Sequence, residues 1–461
     1  MHVASSARLR ISPQRLWLVA AVSCYVVIFH VSYRDLVAPT FAFFGLSYHP
    51  LAAQYFWTSV ALCILPSCWM PIAFSRPSLL LFYVQYLIIF IPATFVVHYS
   101  IRPEIATTDA VRLVVLMFAG LSIIQLSYKI PVRAISIVRL TPGAFWSLFM
   151  AASGIMLAYL VVTLSGNFRL ANFVDIYDVR FAMAEMLQAT GSRFGYYAQS
   201  SLFSFFLPML FAVGAYSRKY WIVAAVAATY VFLFGIGGAK AAILSLVYLP
   251  LVYGLMTQPR NRIPHLFVAG LCVVLLLGFA TEALLDRQRN VEFLGVVHFR
   301  LFSVPAITVP QYFDFFQQHP VTHLAHVTGF NRLLTYPFEE DIPYTVGRFF
   351  YRNAIGMNSG TWAADGLAGF GSWGIIIMSF VVSAVFWVFD SVASSFRVEV
   401  VALAIAASAL SFGSVSLFTT LITGGLASTI VALLVAPRDP SGMLALPMML
   451  RFRQPPASHP A

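Results

Sequence analysis

Ionisable side chains are scarce in this chain of 461 residues, yet the segment 284–371 concentrates them. A guanidinium offers a planar fork of donors that matches two oxygens of a phosphate, and a carboxylate can take the proton of an attacking hydroxyl group. These residue types therefore indicate chemistry on a charged substrate. The arginines and acids of the segment are Arg287, Arg289, Arg300, Arg332, Arg348, Arg352, Asp286, Glu292, Asp314, Glu339, Glu340, Asp341 and Asp365.

Asp365 stands out among these acids because it follows two arginines and lies just before an apolar run. The histidines at 319, 323 and 326 have spacings that could place them on one helix face. Pro320 breaks the first turn, however, and no nearby cysteine or acid completes a ligand set, so no metal site is predicted.

A second polar segment, at about 164–196, contains two further arginines. Arg180 can pair with Asp175 and Asp178 in a surface network, where an exposed ion pair is worth about 0–1 kcal/mol. Alternatively, Arg180 and Arg193 bind an anionic head group. Both interpretations remain open at this point.

Lys240 follows Gly237 and Gly238 at the outer end of a predicted helical hairpin. Its side chain either extends to the membrane interface or helps to bind an anion beside the free backbone N–H groups of a helix start. In the long segment, Arg289 and Arg300 are eleven residues apart, about three helical turns, and so are expected on one helix face.

The elements that must position these side chains follow from composition. Hydrophobic residues make up 60% of the chain, charged residues only 10%, and the mean hydropathy is +0.83. Soluble domains carry about 25% charged residues. The apolar runs are near 20 residues long, which is the length of a helix that crosses a bilayer. The fold class is therefore an all-α polytopic membrane protein.

About 12 spans are predicted, and the last two are close enough to form a broken or re-entrant pair. The organisation is an N-terminal bundle of about nine helices over 1–283 that includes the loop 164–196, a large outer loop over 284–371, C-terminal helices over 372–436 and a tail over 437–461. The spans are 16–32, 52–73, 79–97, 110–128, 143–163, 197–215, 220–236, 241–256, 264–283, 372–390, 398–416 and 420–436.

The orientation follows from the positive-inside rule. With both termini in the cytoplasm, 15 of the 28 Lys and Arg residues and 3 of the 17 Asp and Glu residues lie inside, a net of +12. The remaining 13 basic and 14 acidic residues lie outside, a net of −1. The net charge of +11 is thus explained by topology, without a nucleic-acid partner. Both polar loops are predicted to be extracytoplasmic.

Several local patterns give the chain a resemblance to the Wzy-type polymerases of O-antigen and oligosaccharide repeat units. Arg180, ten residues and Gly191 resemble the arginine-x10-glycine pattern of that family. The segments 237–240 and 358–374 resemble its small-small-x-basic turn and its glycine-rich element before a late helix. The chain departs from the family pattern in the long loop, where no second arginine-x10-glycine occurs.

The resemblance implies a glycosyltransferase with an integral-membrane (GT-C type) fold. It would join undecaprenyl-diphosphate-linked repeat units into a surface polysaccharide, an O-antigen or exopolysaccharide, at the periplasmic face of the inner membrane. The donor is already activated, so no cofactor and no metal are expected; a flippase and a chain-length regulator are possible partners. The attacking hydroxyl group would need a catalytic base, for which Asp365 is the first choice and His326 and Glu340 are substitutes. The diphosphate and sugars would bind to Arg180, Arg193, Lys240, Arg289, Arg300, Arg348, Arg352, Tyr197 and Asn358.

Two other functions remain as alternatives. An O-antigen ligase uses a similar donor and delivers the polysaccharide to lipid A-core, and the histidines of the long loop keep this function open. A transporter of the polysaccharide lipid is a different class. Transporters tend to have two related halves and ionisable groups at mid-membrane, whereas the two halves here are unlike and the charges lie in the outer loops.

Overall fold

The protein is described by a computed structural model that covers residues 12–99, 107–135, 137–170, 176–327, 329–351, 357, 361–439 and 442–445. These residues form helices joined by turns, and no β-strand occurs among them. The helices are α1 (Pro13–Phe44), α2 (Ala53–Ile64), α3 (Leu79–Tyr99), α4 (Thr107–Ser127), α5 (Pro142–Leu164), α6 (Ile176–Ala189), α7 (Phe194–Tyr216), α8 (Tyr220–Gly237), α9 (Lys240–Met256), α10 (Ile263–Leu284), α11 (Arg287–Gln318), α12 (Ile342–Tyr351), α13 (Trp362–Phe370), α14 (Gly374–Ala393), α15 (Val398–Ala404), α16 (Ala406–Phe412), α17 (Leu417–Ile422) and α18 (Leu426–Val435).

Ten helical segments of the described chain are long and apolar enough to cross a membrane. Nine of them coincide with predicted spans, which confirms a polytopic helical membrane protein. Three predicted spans do not form one long helix in the structure. In 52–73 only the short helix α2 forms, 241–256 forms the shorter α9, and 398–416 is broken into α15 and α16. The tenth segment is α11, which lies where the sequence predicts part of the large outer loop.

Four long helices contain a π-helical stretch, and each stretch ends two residues before a proline. Proline lacks an N–H group, and its ring clashes with the carbonyl of residue i−4 in a regular helix. The wider π-helical turn moves that carbonyl out of register, so that the helix continues through the proline. The four prolines are Pro39, Pro92, Pro208 and Pro305.

Helix α3 lies at the centre of the bundle, and its apolar surface is buried within the protein on all sides. Helix α11 packs against the second half of α3 and against α13, and α14 packs along α4. The side chain of Gln85 on α3 donates to the Phe412 carbonyl at 2.9 Å, which joins α3 to the end of α16. The core therefore unites helices from both halves of the chain.

Helices α13 and α14 form a hairpin. The indole Nε1 of Trp362 donates to Ser379 Oγ at 3.0 Å, although residues 17 apart in a straight helix would be about 25 Å apart. The chain reverses at the 3₁₀ turn Gly371–Trp373. Gly366 and Gly374 lie backbone to backbone across the hairpin, where a Cβ on either residue would collide with the other. This contact fixes the place of α13, which carries Asp365.

The loops that the sequence predicts as cytoplasmic meet at one end of the bundle. Backbone N–H groups of Phe74 and Leu140 donate to the carbonyls of Arg260 and Val435, each at 2.9 Å. Arg397 N donates to Gly442 O, also at 2.9 Å. We call this the basic end. At the opposite end, the hydroxyl of Tyr351 donates to the carbonyl of Phe44 at the end of α1, at 3.2 Å. Arg180 of α6 donates there to the carbonyl of Gly238 at the end of α8.

Candidate functional site

A cavity of about 320 Å³ lies at the opposite end of the bundle. It contains two of the three predicted catalytic residues, Asp365 and His326, although 39 residues separate them in the sequence. We call it the Asp365 cavity. Its lining residues are Tyr197, Tyr312, His326, Val327, Asp341, Ile342, Pro343, Tyr344, Asp365, Ala368, Ser416, Phe418, Thr419, Ile422 and Thr423.

Asp365 is held by the hairpin and by the start of α17. Its side chain is buried, with 1% of its surface exposed. Its Oδ2 accepts a hydrogen bond from the backbone N–H of Leu417 at 2.7 Å. Its Oδ1 has no hydrogen-bond partner among the described residues. The residue lines the cavity, so this oxygen can accept a hydrogen bond or a proton from a ligand.

His326 is held by the loop that covers the tip of the hairpin. The backbone N–H groups of Thr322 and His323 donate to the carbonyls of Ala368 at 2.8 Å and Gly369 at 3.0 Å. Thr322 Oγ1 lies 2.6 Å from His326 Nδ1 and 2.9 Å from the Ala368 carbonyl oxygen. When the single hydroxyl hydrogen is donated to the carbonyl, Nδ1–H donates to the hydroxyl and Nε2 is the acceptor of the ring.

The charge state of His326 leaves one ring nitrogen able to accept a hydrogen bond. Burial lowers the pKa of the imidazole to about 4, so the ring is neutral at neutral pH. Like Asp365 Oδ1, its Nε2 has no hydrogen-bond partner among the described residues. The cavity thus contains two acceptor atoms that a ligand hydroxyl group can satisfy.

The floor of the Asp365 cavity is the break between the last helices. Ser416 caps α17, and its Oγ accepts from the N–H of Thr419 at 3.0 Å. The hydroxyl-bearing residues Ser416, Thr419 and Thr423 line the floor, and Tyr312 of α11 lines a wall. These four residues have no site role that the sequence predicts, because they lie in apolar runs or in a segment predicted as a loop. The short gap between the predicted spans 398–416 and 420–436 was the available signal.

A second cavity, of about 490 Å³, contains Arg180. Arg180 Nε donates to the carbonyl of Gly238 at 3.1 Å. Gly238 has a φ of +57° and ends α8, and Lys240 begins α9. The structure therefore brings together the arginine and the small-small-x-basic turn. We call this the Arg180 cavity; its lining residues are Arg180, Phe181, Met183, Ala184, Tyr196, Gln199, Ser200, Phe203, Leu233, Gly237, Ala239 and Ala242.

The first turns of α7 separate the two cavities. Tyr196 lines the Arg180 cavity, whereas its neighbour Tyr197 lines the Asp365 cavity. Ser200 also lines the Arg180 cavity, and its hydroxyl donates at 2.7 Å to the carbonyl of Thr423 on the floor of the other. The start of α7 thus contacts both the Arg180 cavity and the Asp365 cavity.

Several predicted site residues lie outside both cavities. Arg348 pairs with Glu340 at 2.6 Å, and Arg289 pairs with Asp286 at 3.3 Å, all with side chains at least 40% exposed. Arg193 is exposed. Arg300 is also exposed and lies 5.7 Å from the centre of the Phe299 ring. The residues at 352 and 358 lie outside the described residues. Of the predicted arginines that the structure describes, Arg180 lines one of these two cavities, and the others line neither.

No group of three or more His, Cys, Asp or Glu side chains in the described chain is placed to hold a metal ion. His319 stacks on Phe315 with ring centres 4.1 Å apart and an angle of 2° between the planes. No family model, curated protein or solved structure matches the chain. The two cavities and the local patterns of the sequence are therefore the indications of function.

Proposed function

We propose that the protein is a membrane glycosyltransferase that joins polyprenyl-diphosphate-linked repeat units into a surface polysaccharide. One observation carries the proposal: Asp365 and His326 line one cavity, each with an unused acceptor atom, beside a cavity that contains Arg180. A transferase of this kind needs a site that deprotonates a hydroxyl group and a site that stabilises a leaving phosphate. The chain offers one of each.

The Arg180 cavity suits the lipid diphosphate. Most of its lining side chains are apolar, such as Phe181, Phe203 and Leu233, and Arg180 supplies positive charge. A polyprenyl diphosphate has the same division between an apolar chain and an anionic head group. Arg180 is an exposed residue, and its guanidinium can bind two phosphate oxygens at once.

The Asp365 cavity suits the attacking sugar. In the proposed step, a sugar hydroxyl oxygen forms a bond to the anomeric carbon of the donor. The bond between that carbon and the phosphate oxygen breaks, and its electron pair leaves with the lipid diphosphate. The hydroxyl proton passes to Asp365 Oδ1, with His326 Nε2 as the second acceptor atom on the cavity. Positioned proton transfer of this type contributes about 10²–10⁴-fold to a rate.

The proposed function also implies a location, an orientation and partners for the protein. We place the protein in a bacterial inner membrane with both termini in the cytoplasm, because the basic end carries the loops with excess Lys and Arg. The two cavities would then face the periplasm, where repeat units are joined. An integral-membrane glycosyltransferase fold of the GT-C type is likewise proposed. A flippase and a chain-length regulator are proposed partners in the same process.

The test is complementation of a strain that lacks the gene, with polymer length read on a gel. Arg180→Ala is expected to reduce polymer at least about 10²-fold, and Arg180→Lys to restore little, because a point charge does not replace a bidentate fork. Arg348→Ala is the comparison: a clamp of many arginines predicts the same loss, whereas the exposed pair with Glu340 predicts little change. Full-length polymer from Arg180→Ala protein would refute the assignment of this cavity.

O-antigen ligation is the second candidate, favoured by one observation. Ligases carry a functional histidine in the long loop, and His326 lies on the Asp365 cavity. The lipid that accumulates in the null strain decides between the two functions. A polymerase defect leaves single capped units, whereas a ligase defect leaves long chains on the lipid carrier.

A further inference from the structure

The two cavities differ in the charge of the side chains that line them. Asp341 and Asp365 line the Asp365 cavity, and no Lys or Arg occurs among its described lining residues. The Arg180 cavity has the opposite sign, since Arg180 is the charged residue among those that line it. Under the proposed function, on which the inference rests, the charge of the Asp365 cavity bears on which acceptor sugar it binds.

The carboxylate of Asp341 lines the cavity, whereas that of the adjacent Glu340 is held in an ion pair. Glu340, one residue earlier, is bound to Arg348 at 2.6 Å. Asp341 has no ion pair among the described residues and lines the cavity instead. Its backbone carbonyl accepts hydrogen bonds from Tyr344 N at 2.9 Å and from Thr345 N at 3.0 Å. These two bonds form the first turn of α12. These backbone bonds do not need the side-chain charge, so the charge can be removed while the helix start is kept.

A ligand in this cavity meets the exposed carboxylate of Asp341. A carboxylate on the ligand would bring a second negative charge to that position, and like charges brought together cost free energy. A protonated amine would be attracted, and a neutral sugar would be affected little. Rejection by an unfavourable charge is one of the two general means of specificity. The volume of about 320 Å³ is at the small end of ligand sites and suits the terminal sugar of the acceptor.

We propose that the Asp365 cavity selects the terminal acceptor sugar by charge: it favours an amino sugar, accepts a neutral sugar and excludes a uronic acid, with Asp341 as the specificity-determining residue. The hydroxyls of Ser416, Thr419 and Thr423 on the floor are placed to bind sugar hydroxyl groups. Tyr197 and Tyr344 provide aromatic surface for the ring.

The experiment uses the full-length protein in lipid nanodiscs and three probes: the methyl glycosides of glucosamine, N-acetylglucosamine and glucuronic acid. Binding is measured by saturation-transfer NMR at low ionic strength, where charge effects are least screened, and at a pH that keeps the amine protonated. In the wild-type protein, the affinity is expected to fall about threefold to tenfold from the amine to the neutral sugar, and by a similar factor to the uronate.

Two variants isolate the charge of Asp341. Asp341→Asn is expected to weaken amine binding and strengthen uronate binding, each about threefold or more, and to leave the neutral sugar unchanged. Glu339→Gln removes an equal charge two residues away, outside the residues that line the cavity, and is the matched control, expected to change none of the three affinities. An equal response of both variants would show a general surface-charge effect and overturn the assignment to Asp341.

A third variant separates this inference from the proposed function. Thr419→Trp fills the floor of the cavity and is expected to abolish binding of all three probes. If the probes bind equally well to the wild-type protein and Thr419→Trp abolishes the binding, the site stands and selection by charge is wrong. If binding survives Thr419→Trp unchanged, or if no probe binds to the wild-type protein, the Asp365 cavity is not the acceptor site and the proposed function loses its acceptor half.

Discussion

Two buried carboxylates on neighbouring helices, Asp365 and Asp390, are satisfied in different ways. Both oxygens of Asp390 are bound at the start of α3: Oδ1 accepts from Ser78 N at 3.1 Å and Oδ2 from Ser78 Oγ at 2.6 Å. Asp365 accepts one bond, from Leu417 N, and its other oxygen has no partner among the described residues. Asp390 therefore has the environment of a structural group, and Asp365 that of a reactive one.

Substitution by asparagine is expected to separate these roles. Asp365→Asn should leave the protein folded and lower the rate of polymer formation by about 10²–10⁴-fold, because the proton acceptor is lost and the bond from Leu417 can be kept. Asp390→Asn should instead lower the free energy of unfolding by about 1–3 kcal/mol, with the rate per folded molecule unchanged. Thermal stability in nanodiscs and polymer length in cells measure the two effects. Normal polymer from Asp365→Asn protein would remove this residue as the base.

The burial of His326 gives the protein a pH dependence of known sign. The pKa of His326 is lowered to about 4 by burial, against about 6.5 in an unfolded chain. Between these two pH values the unfolded chain binds a proton that the folded protein does not, so the contribution lowers stability as pH falls from about 6.5 to about 4. Above about pH 6.5 the residue is neutral in both states and contributes no slope.

His326→Gln should therefore flatten the loss of stability on acidification by on the order of 1–3 kcal/mol. The measurement is the thermal midpoint in nanodiscs across that pH range. Thr322→Val is the control, because it removes the hydroxyl next to Nδ1 and keeps the buried imidazole. It should keep the slope of the wild-type protein. An identical slope in the His326→Gln protein would show that other groups cause the acid sensitivity.

At the residue scale, the sequence predicts which side chains take part in the site, but not which of them lie together in one cavity. Asp365 and His326 were recognisable as ionisable groups in an apolar chain, and they line one cavity. The arginine clamp was expected from composition, but Asp286 and Glu340 provide local partners for Arg289 and Arg348. Asp286 is three residues from Arg289 and Glu340 is eight from Arg348, and helix packing decided which guanidinium reaches a cavity.

At the scale of elements, the hairpin of α13 and α14 places the Asp365 carboxylate, and its tightest contact can be tested. Gly374→Ala is expected to lower the free energy of unfolding by several kcal/mol, because its Cβ would collide with the Gly366 backbone and neither backbone can move away. Gly154→Ala in α5 is the matched control. Its added Cβ meets nothing within 4 Å, and alanine favours a helix over glycine by about 1 kcal/mol. Equal stability of the two variants would contradict the hairpin.

Helix α11 shows why the elements were only partly predictable. Its first turns carry Arg287 and Arg289, and prolines occupy positions 305 and 310. Charges and prolines of this kind usually indicate a loop, so the sequence predicts a large outer loop here, with a helical stretch only from Asp286 to Arg300. The π-helical stretch Gly295–Ser303 lets the helix pass Pro305. Whether a proline ends a helix or is accommodated by a wider turn depends on the neighbouring helices, here α3 and α13.

At the scale of the whole molecule, the charges divide between the two ends of the bundle, and this predicts the topology. Alkaline phosphatase, which is active only outside the cytoplasm, should be active when fused after Thr190 or Thr335. It should be inactive when fused after Arg218 or Arg262, because basic loops remain in the cytoplasm. Enzyme activity normalised to fusion protein gives the readout. The reverse pattern would place both cavities on the cytoplasmic side and contradict periplasmic polymerisation.

The enclosed position of α3 has a consequence for biogenesis. This helix is made early, yet its neighbours include Asp390 and Phe412, which are synthesised about 300 residues later. Until those helices arrive, its apolar surface must be covered by lipid or by an insertase. The nascent bundle therefore has to stay open along one side and expel lipid when the last helices close it. Chains truncated before α14 should accordingly remain inserted but fail to compact, and become substrates for membrane proteases.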